Sequence, residues 1–272
     1  MKKLSALGLA VIPLVVAGCV GNVQRSARVP HPAVPNSTGQ PMSSQADLSV
    51  GASSVTDLVA PAVGDPSQAV EVPGTQLRGE FRLRATENSF VGVVHERGFA
   101  STSQQPDSTQ APVGKGDVLG YGIVVGGSVQ TSMPELRIGL VGEFMIWNVP
   151  YVEYQTLAPG FPTNYTIIER GSDNVATLGV GVSPSYKVGQ LTAFGGLFAR
   201  NHPTTLRKEF NTNLVDGGDV EEGPFNILID AGVAYDFTKQ LSGSFVLNQN
   251  LTADPVQYGP GLQVALTAKL GE

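Results

Sequence analysis

A two-residue period that returns in run after run from Ala46 onward constrains this chain more than any other feature. In one run Ile227, Ile229, Ala231, Val233, Tyr235 and Phe237 share a face, and Asp230, Gly232, Ala234 and Asp236 share the other. In the last run Leu262, Val264, Leu266, Ala268 and Leu270 oppose Gln263, Ala265, Thr267 and Lys269. Earlier, Phe81, Leu83 and Ala85 oppose Arg78, Glu80, Arg82 and Arg84. Successive side chains of an extended strand point to opposite sides, so these runs predict strands with one apolar face. No stretch of comparable length repeats with a helical period, and prolines punctuate the connections. The expected class is all-β.

Strands are expected near 46–54, 77–86, 89–99, 117–130, 135–148, 174–186, 190–201, 225–237, 241–251 and 258–270. Short turns fall at Glu87-Asn88, Thr131 to Pro134, Lys187 to Gly189 and Thr238 to Gln240. Long connections alternate with them at 55–76, 100–116, 149–173 and 202–224, with a shorter one at 252–257. Short turns at one end and long loops at the other are the layout of a transmembrane barrel with an even number of strands. The architecture expected over 46–272 is an antiparallel up-and-down β-barrel of 8–10 strands.

The second faces indicate which side sees water. In 117–130 that face is Val118, Gly120, Gly122, Val124, Gly126 and Ser128; in 174–186 it is Val175, Thr177, Gly179, Gly181, Ser183 and Ser185. Small residues suit the crowded interior of a narrow barrel. Facing glycines are expected to leave room for the long charged side chains at 78–84. The apolar faces, with Tyr121, Phe144, Tyr186, Tyr235, Phe237 and Phe245, would then meet lipid. Alternation alone also allows a soluble, lipocalin-like barrel with its apolar faces turned inward around an apolar ligand. From Ala46 to Glu272 the pattern resembles the small outer-membrane β-barrels.

The N-terminus carries a second signal. Lys2 and Lys3 precede an apolar run from Leu4 to Val15, followed by Val16-Ala17-Gly18-Cys19. This is the order of a secretory signal. The run, interrupted by Pro13, is shorter than the roughly 20 residues a membrane-spanning helix needs. Its small-small-Cys ending resembles the lipobox of bacterial lipoproteins. The resemblance implies a leader over 1–18, an acyl anchor on Cys19 and, with Val20 giving no Asp-type retention signal, an outer-membrane address. Residues 19–45 hold Pro30, Pro32, Pro35 and Pro41 among small polar residues and are expected to be a disordered tether.

Composition narrows the function classes. Removing Lys2 and Lys3 with the leader leaves 15 basic against 23 acidic residues, a net charge of −8 with no basic cluster, so nucleic acid is not an expected partner. One cysteine excludes an intramolecular disulfide.

Arg78, Glu80, Arg82, Arg84, Arg137, Glu143 and Asp230 would all face inward, and buried charges must pair. They are expected to form an interior network that fills the lumen or lines a narrow conduction path. His31, His95 and His202 lack ligand spacing, and the acidic run Asp216 to Glu222 lacks that of a calcium loop, so no metal is expected. Gly120-Tyr121-Gly122 and the run 179–182 lie inside alternating segments with no helix following, so they are strand packing and not phosphate loops. With no Gly-x-Ser-x-Gly elbow and the cysteine assigned to lipid, the expectation is a non-enzymatic protein without a cofactor. Its expected partners are the membrane and an extracellular or envelope protein or glycan. The latter would meet loops such as 149–173, with Tyr151, Tyr154, Phe161 and Tyr165.

Overall fold

The computed structural model describes residues 23–31, 33–35, 39–55, 58–59, 68–99, 114–156, 165–203, 225–252 and 257–271. Ten strands form the wall: β1 Ala46–Val55, β2 Thr75–Thr86, β3 Ser89–Gly98, β4 Val118–Gln130, β5 Leu136–Thr156, β6 Tyr165–Val188, β7 Leu191–Asn201, β8 Phe225–Asp236, β9 Leu241–Asn250 and β10 Gly261–Leu270. Each pairs antiparallel with the next. β10 returns to β1, from Gly261 opposite Val55 to Leu270 opposite Ala46, and closes the barrel. The expected all-β, up-and-down barrel is the fold, and the described residues contain no helix.

Alternation sorts the two faces as the sequence implies. Along β2, Gln76, Arg78, Glu80 and Arg82 are buried in the lumen, whereas Leu77, Phe81 and Leu83 are exposed on the outside. Ile123, Leu140, Phe144, Val180, Leu197, Ile229 and Leu266 continue this outward apolar surface around the wall. The six aromatics expected to face lipid are all exposed there.

β5 and β6 run well past their expected ends, and much of the anticipated 149–173 loop is a ladder from Val149 opposite Asp173 to Thr156 opposite Tyr165. Above Leu119 opposite Asn148, β4 no longer covers β5. A free edge of unpaired amides and carbonyls is then left on β5. An inner strand, Val23–Arg28, takes that edge, with Val23 opposite Gln155 and Ala27 opposite Tyr151. On its other side it pairs in parallel with Gln68–Glu71.

This inner strand belongs to the expected tether, and here the structure corrects the sequence reading. Residues 25–31 and 33–35 are buried, and the stretch runs down the lumen. Its Ala27 and Val29 pack with Val118, Met145, Trp147 and Val149 in the upper lumen. Lower down, Val34 packs with Phe198, Leu228 and Val246. A Pro-rich chain that cannot form its own core is ordered by one that the wall supplies.

The inward glycines are corrected in the same way. The space at Gly120 and Gly122 holds Trp147 and Met145, that at Gly179 and Gly181 holds Phe198, and that at Gly126 holds Phe90. Gly139 faces Gly39 of the inner segment. Aromatic rings and the inner segment occupy the room that had been assigned to the charged strand.

The outward face makes a direct prediction. Val180 is exposed opposite Gly142, midway along the apolar band. Val180→Arg should lower the unfolding free energy in lipid by about 2–4 kcal/mol, the cost of a cation at mid-bilayer on a barrel wall. Urea titration in vesicles reads the change; a neutral result would place this face in water.

Candidate functional site: a filled lumen

The centre of the lumen is organised by Arg78. Its Nε donates to Glu80 at 2.5 Å, and its two terminal nitrogens donate to Glu96 and Glu143. Arg200, from β7, donates to the other oxygen of Glu143 at 3.2 Å and lies 5.2 Å from the Trp147 ring. The Gln76 amide donates to the second oxygen of Glu96. Arg82 stands 3.9 Å from Asp47 and 3.8 Å from Glu80. A guanidinium carries five N–H donors in a rigid fork, which lets one arginine hold three carboxylates in a plane.

Four of the expected network residues, Arg78, Glu80, Arg82 and Glu143, are therefore together. The others are not. Arg84 is exposed near the short-turn end. Arg137 is at that end too, donating to Asn88 at 2.5 Å and to Ser128 at 3.3 Å. Asp230 lines the lower lumen with Val34, Phe194 and Phe198 and makes no ion pair among the described residues. Sequence reasoning missed Glu96, Arg200, Asp47 and Gln76. Parity was the available signal, because Glu96 shares a face with Val94 and Arg200 with Phe198, both buried.

The inner segment forms the second half of the site. At the long-loop end Arg25 is fully buried, paired with Glu153 at 2.7 Å and with Asp173, and stacked 3.7 Å over Tyr151. The Tyr151 hydroxyl donates to Glu169 at 2.7 Å. This part of β5 stands beyond the apolar band, and burial together with the Glu169 carboxylate pushes the phenol up to about 12. Tyr151 and Tyr154 are thus buried and offer no contact surface, a correction to the loop expectation. Phe161, the acidic run 216–222 and Cys19 lie outside the described residues.

Further down, Arg28 donates to the Gly116 carbonyl at 2.6 Å. His31 bridges the Pro73 carbonyl at 3.1 Å and the Ser53 hydroxyl at 2.8 Å. A carbonyl only accepts, so Nδ1 carries the proton and Nε2 is left to accept from Ser53. His202, just past β7, is pushed down to about 3 by burial and by neighbouring Arg200, and so is neutral. His95 faces outward, stacked on Tyr121 with ring centroids 4.5 Å apart. The histidines are therefore dispersed, and no group of metal-ligating side chains forms among the described residues. At the short-turn mouth Asp236 accepts from Lys187 at 2.9 Å and from Lys269 at 2.6 Å.

A closed ring of strands, apolar outside and charged inside, is the arrangement of a membrane-spanning barrel. No protein-family model matches this chain, and no curated protein is similar to it. Solved structures similar to it include the N-terminal β-barrel domain of Pseudomonas aeruginosa OprF, at 9% identity and TM-score 0.36, covering 84% of this chain and 99% of that one. An outer membrane channel from Pseudomonas putida F1 shares 14% identity at TM-score 0.45, covering 87% and 99%. The translocator domain of the autotransporter NalP from Neisseria meningitidis shares 11% identity at TM-score 0.43, covering 96% and 94%.

The network makes a quantitative prediction. Arg78→Leu removes the partner that three buried carboxylates share and should lower stability by about 3–5 kcal/mol, the cost of removing one partner from a buried ion pair. Glu143→Gln keeps an acceptor oxygen for only one of its two arginines, but Arg78 is still held by Glu80 and Glu96, so it should cost less. Urea midpoints of the folded, heat-modifiable band would rank them, and equal losses would mean the network is solvated.

Proposed function

We propose that this chain is a non-enzymatic outer-membrane β-barrel lipoprotein, held by an acyl group on Cys19 and by the barrel itself, with a structural or surface-interaction role. The observation that carries this reading is the combination of an outward apolar band with a lumen already filled by the protein's own side chains and N-terminal segment. A lipocalin-like carrier needs its apolar faces turned inward around a cavity, and these faces turn outward. A conduction path needs an open bore, and Arg78, Glu96, Glu143 and Arg200 share this one with Val29, His31 and Val34. What is left to act on a partner is the outside: the connections at 100–113, 157–164 and 204–224, through which a protein or glycan of the surroundings would be met.

Replacing the leader with a non-lipid signal peptide and changing Cys19→Ala tests the membrane part. After an alkaline carbonate wash the protein should remain in the envelope pellet as a folded, heat-modifiable band. Release as a folded soluble protein would overturn the reading. In planar bilayers the purified full chain should give no stable conductance steps, and a steady unitary conductance would replace the structural role with that of a channel.

A further inference from the structure

The inner segment has a direction, and the direction has a consequence for the N-terminus. Its wall partners descend the barrel in the order of its own residues. Val23 to Ala27 lie on the projecting part of β5, and His31 lies at the level of Pro73 and Ser53, near the long-loop end of β1. The Val34 carbonyl accepts from Gln263 at 3.1 Å, two residues below the start of β10. Gly39 packs on the backbone of Gly139 and Ser183, and Gln40 donates to Ser185 at 2.7 Å, close to the short turns. Finally the Gln45 amide donates to the Gly271 carbonyl at 2.8 Å and its carbonyl accepts from Arg84 at 2.9 Å, at the rim where β1 begins.

Two details show that this passage is built into the sequence. Gly39 adopts a φ of +69°, and a Cβ there would lie 2.5 Å from the Ser183 carbonyl oxygen. A Cβ on Gly139 would strike Gly39 in turn. Two glycines, distant in sequence, are needed at one point so that the chain can pass. At the other end the buried Arg25, held by Glu153 and Asp173, fixes the segment to the long-loop side.

We propose that the chain preceding Val23, with Cys19 and the lipid it carries, lies on the external, long-loop side of the membrane, reached through the barrel's own lumen. The lipid part rests on the lipoprotein reading above; the threading does not. Cys19 lies four residue steps before Val23, a reach of about 14 Å at full extension. The short-turn side is a hydrocarbon thickness of about 30 Å away. An acyl chain on Cys19 therefore cannot enter the periplasmic leaflet while residues 25–31 and 33–35 occupy the lumen. It is an anchor for the external side, on a protein whose barrel has folded around its own leading segment.

The test places one short epitope in the full-length chain at three sites in turn: between Gly21 and Asn22, between Asp216 and Gly217, and after Glu272. Antibody staining of intact and permeabilised cells is compared, and the heat-modifiable band verifies folding. The first two epitopes should stain intact cells alike, and the third only after permeabilisation. An epitope at Gly21 that behaves like the C-terminal one, while the loop epitope stains intact cells, overturns the threading. Staining of the C-terminal epitope alone on intact cells inverts the barrel and overturns it as well. Should the inserted epitope block folding, Asn22→Cys in a Cys19→Ala chain, labelled with a membrane-impermeant maleimide, gives the same readout from one side chain. Metabolic labelling with a palmitate analogue separates the two ideas. No label with an external N-terminus sinks the lipid and keeps the threading, whereas label with an internal N-terminus does the reverse.

Discussion

The seam between β10 and β1 is the constraint on which the rest depends. In hydrocarbon an unpaired amide or carbonyl costs several kcal/mol, so a sheet that spans a bilayer must have no edge there. Ten residue pairs, Gly261 with Val55 through Leu270 with Ala46, remove the last one. Once the ring is closed its circumference fixes an interior, and that interior has to be filled. Everything distinctive about this chain is a response to that volume. Met145, Trp147, Phe90 and Phe198 lean into spaces left by inward glycines, an arginine-centred cluster crosses the middle, and the N-terminal segment takes the remaining path.

The same logic explains why the charges of the lumen are held to one another. Arg78, Arg82 and Arg200 face Asp47, Glu80, Glu96 and Glu143, and the Gln76 amide supplies a further donor. These groups come from five different strands, so the cluster ties the wall to itself across the bore. Such a cluster is weak evidence for stability but specifies register, because a slip of one residue would turn every charge outward into lipid. The inner segment adds a second tie along the axis, from Arg25 at one end to Gln45 at the other.

Much of the wall was legible because alternation is a local property. All ten strands were read from it, including β1, where Leu48 and Val50 are the only large apolar residues facing out before the strand's last turns. What escaped was non-local. Residues 149–156 and 165–173 became strand because the inner segment covers the exposed edge of β5. The inner segment itself has no periodicity, and its prolines and small polar residues read as a tether; its order comes from contacts with β1, β5, β6 and β10. Arg25, Arg28 and His31 within that tether, together with more inward glycines than β2 needed, were the faint signals. In the charge network, parity identified Arg78, Glu80, Arg82 and Glu143. It could not say that Arg84 and Arg137, on the same side of their strands, sit at the mouth where other partners or water serve them.

A barrel filled by its own chain requires the N-terminal segment to lie inside the closed ring of strands. The most direct measurement is an engineered disulfide between Ser26→Cys and Val152→Cys, directly opposite each other in the antiparallel ladder of the inner strand and β5, in a Cys19→Ala chain with a non-lipid leader. After folding into membranes and oxidation, proteolysis and mass spectrometry should recover the two peptides as one disulfide-linked species. Free thiols at both positions in a barrel shown by heat modification to be folded would mean that the segment hangs outside, and the filled lumen would be wrong.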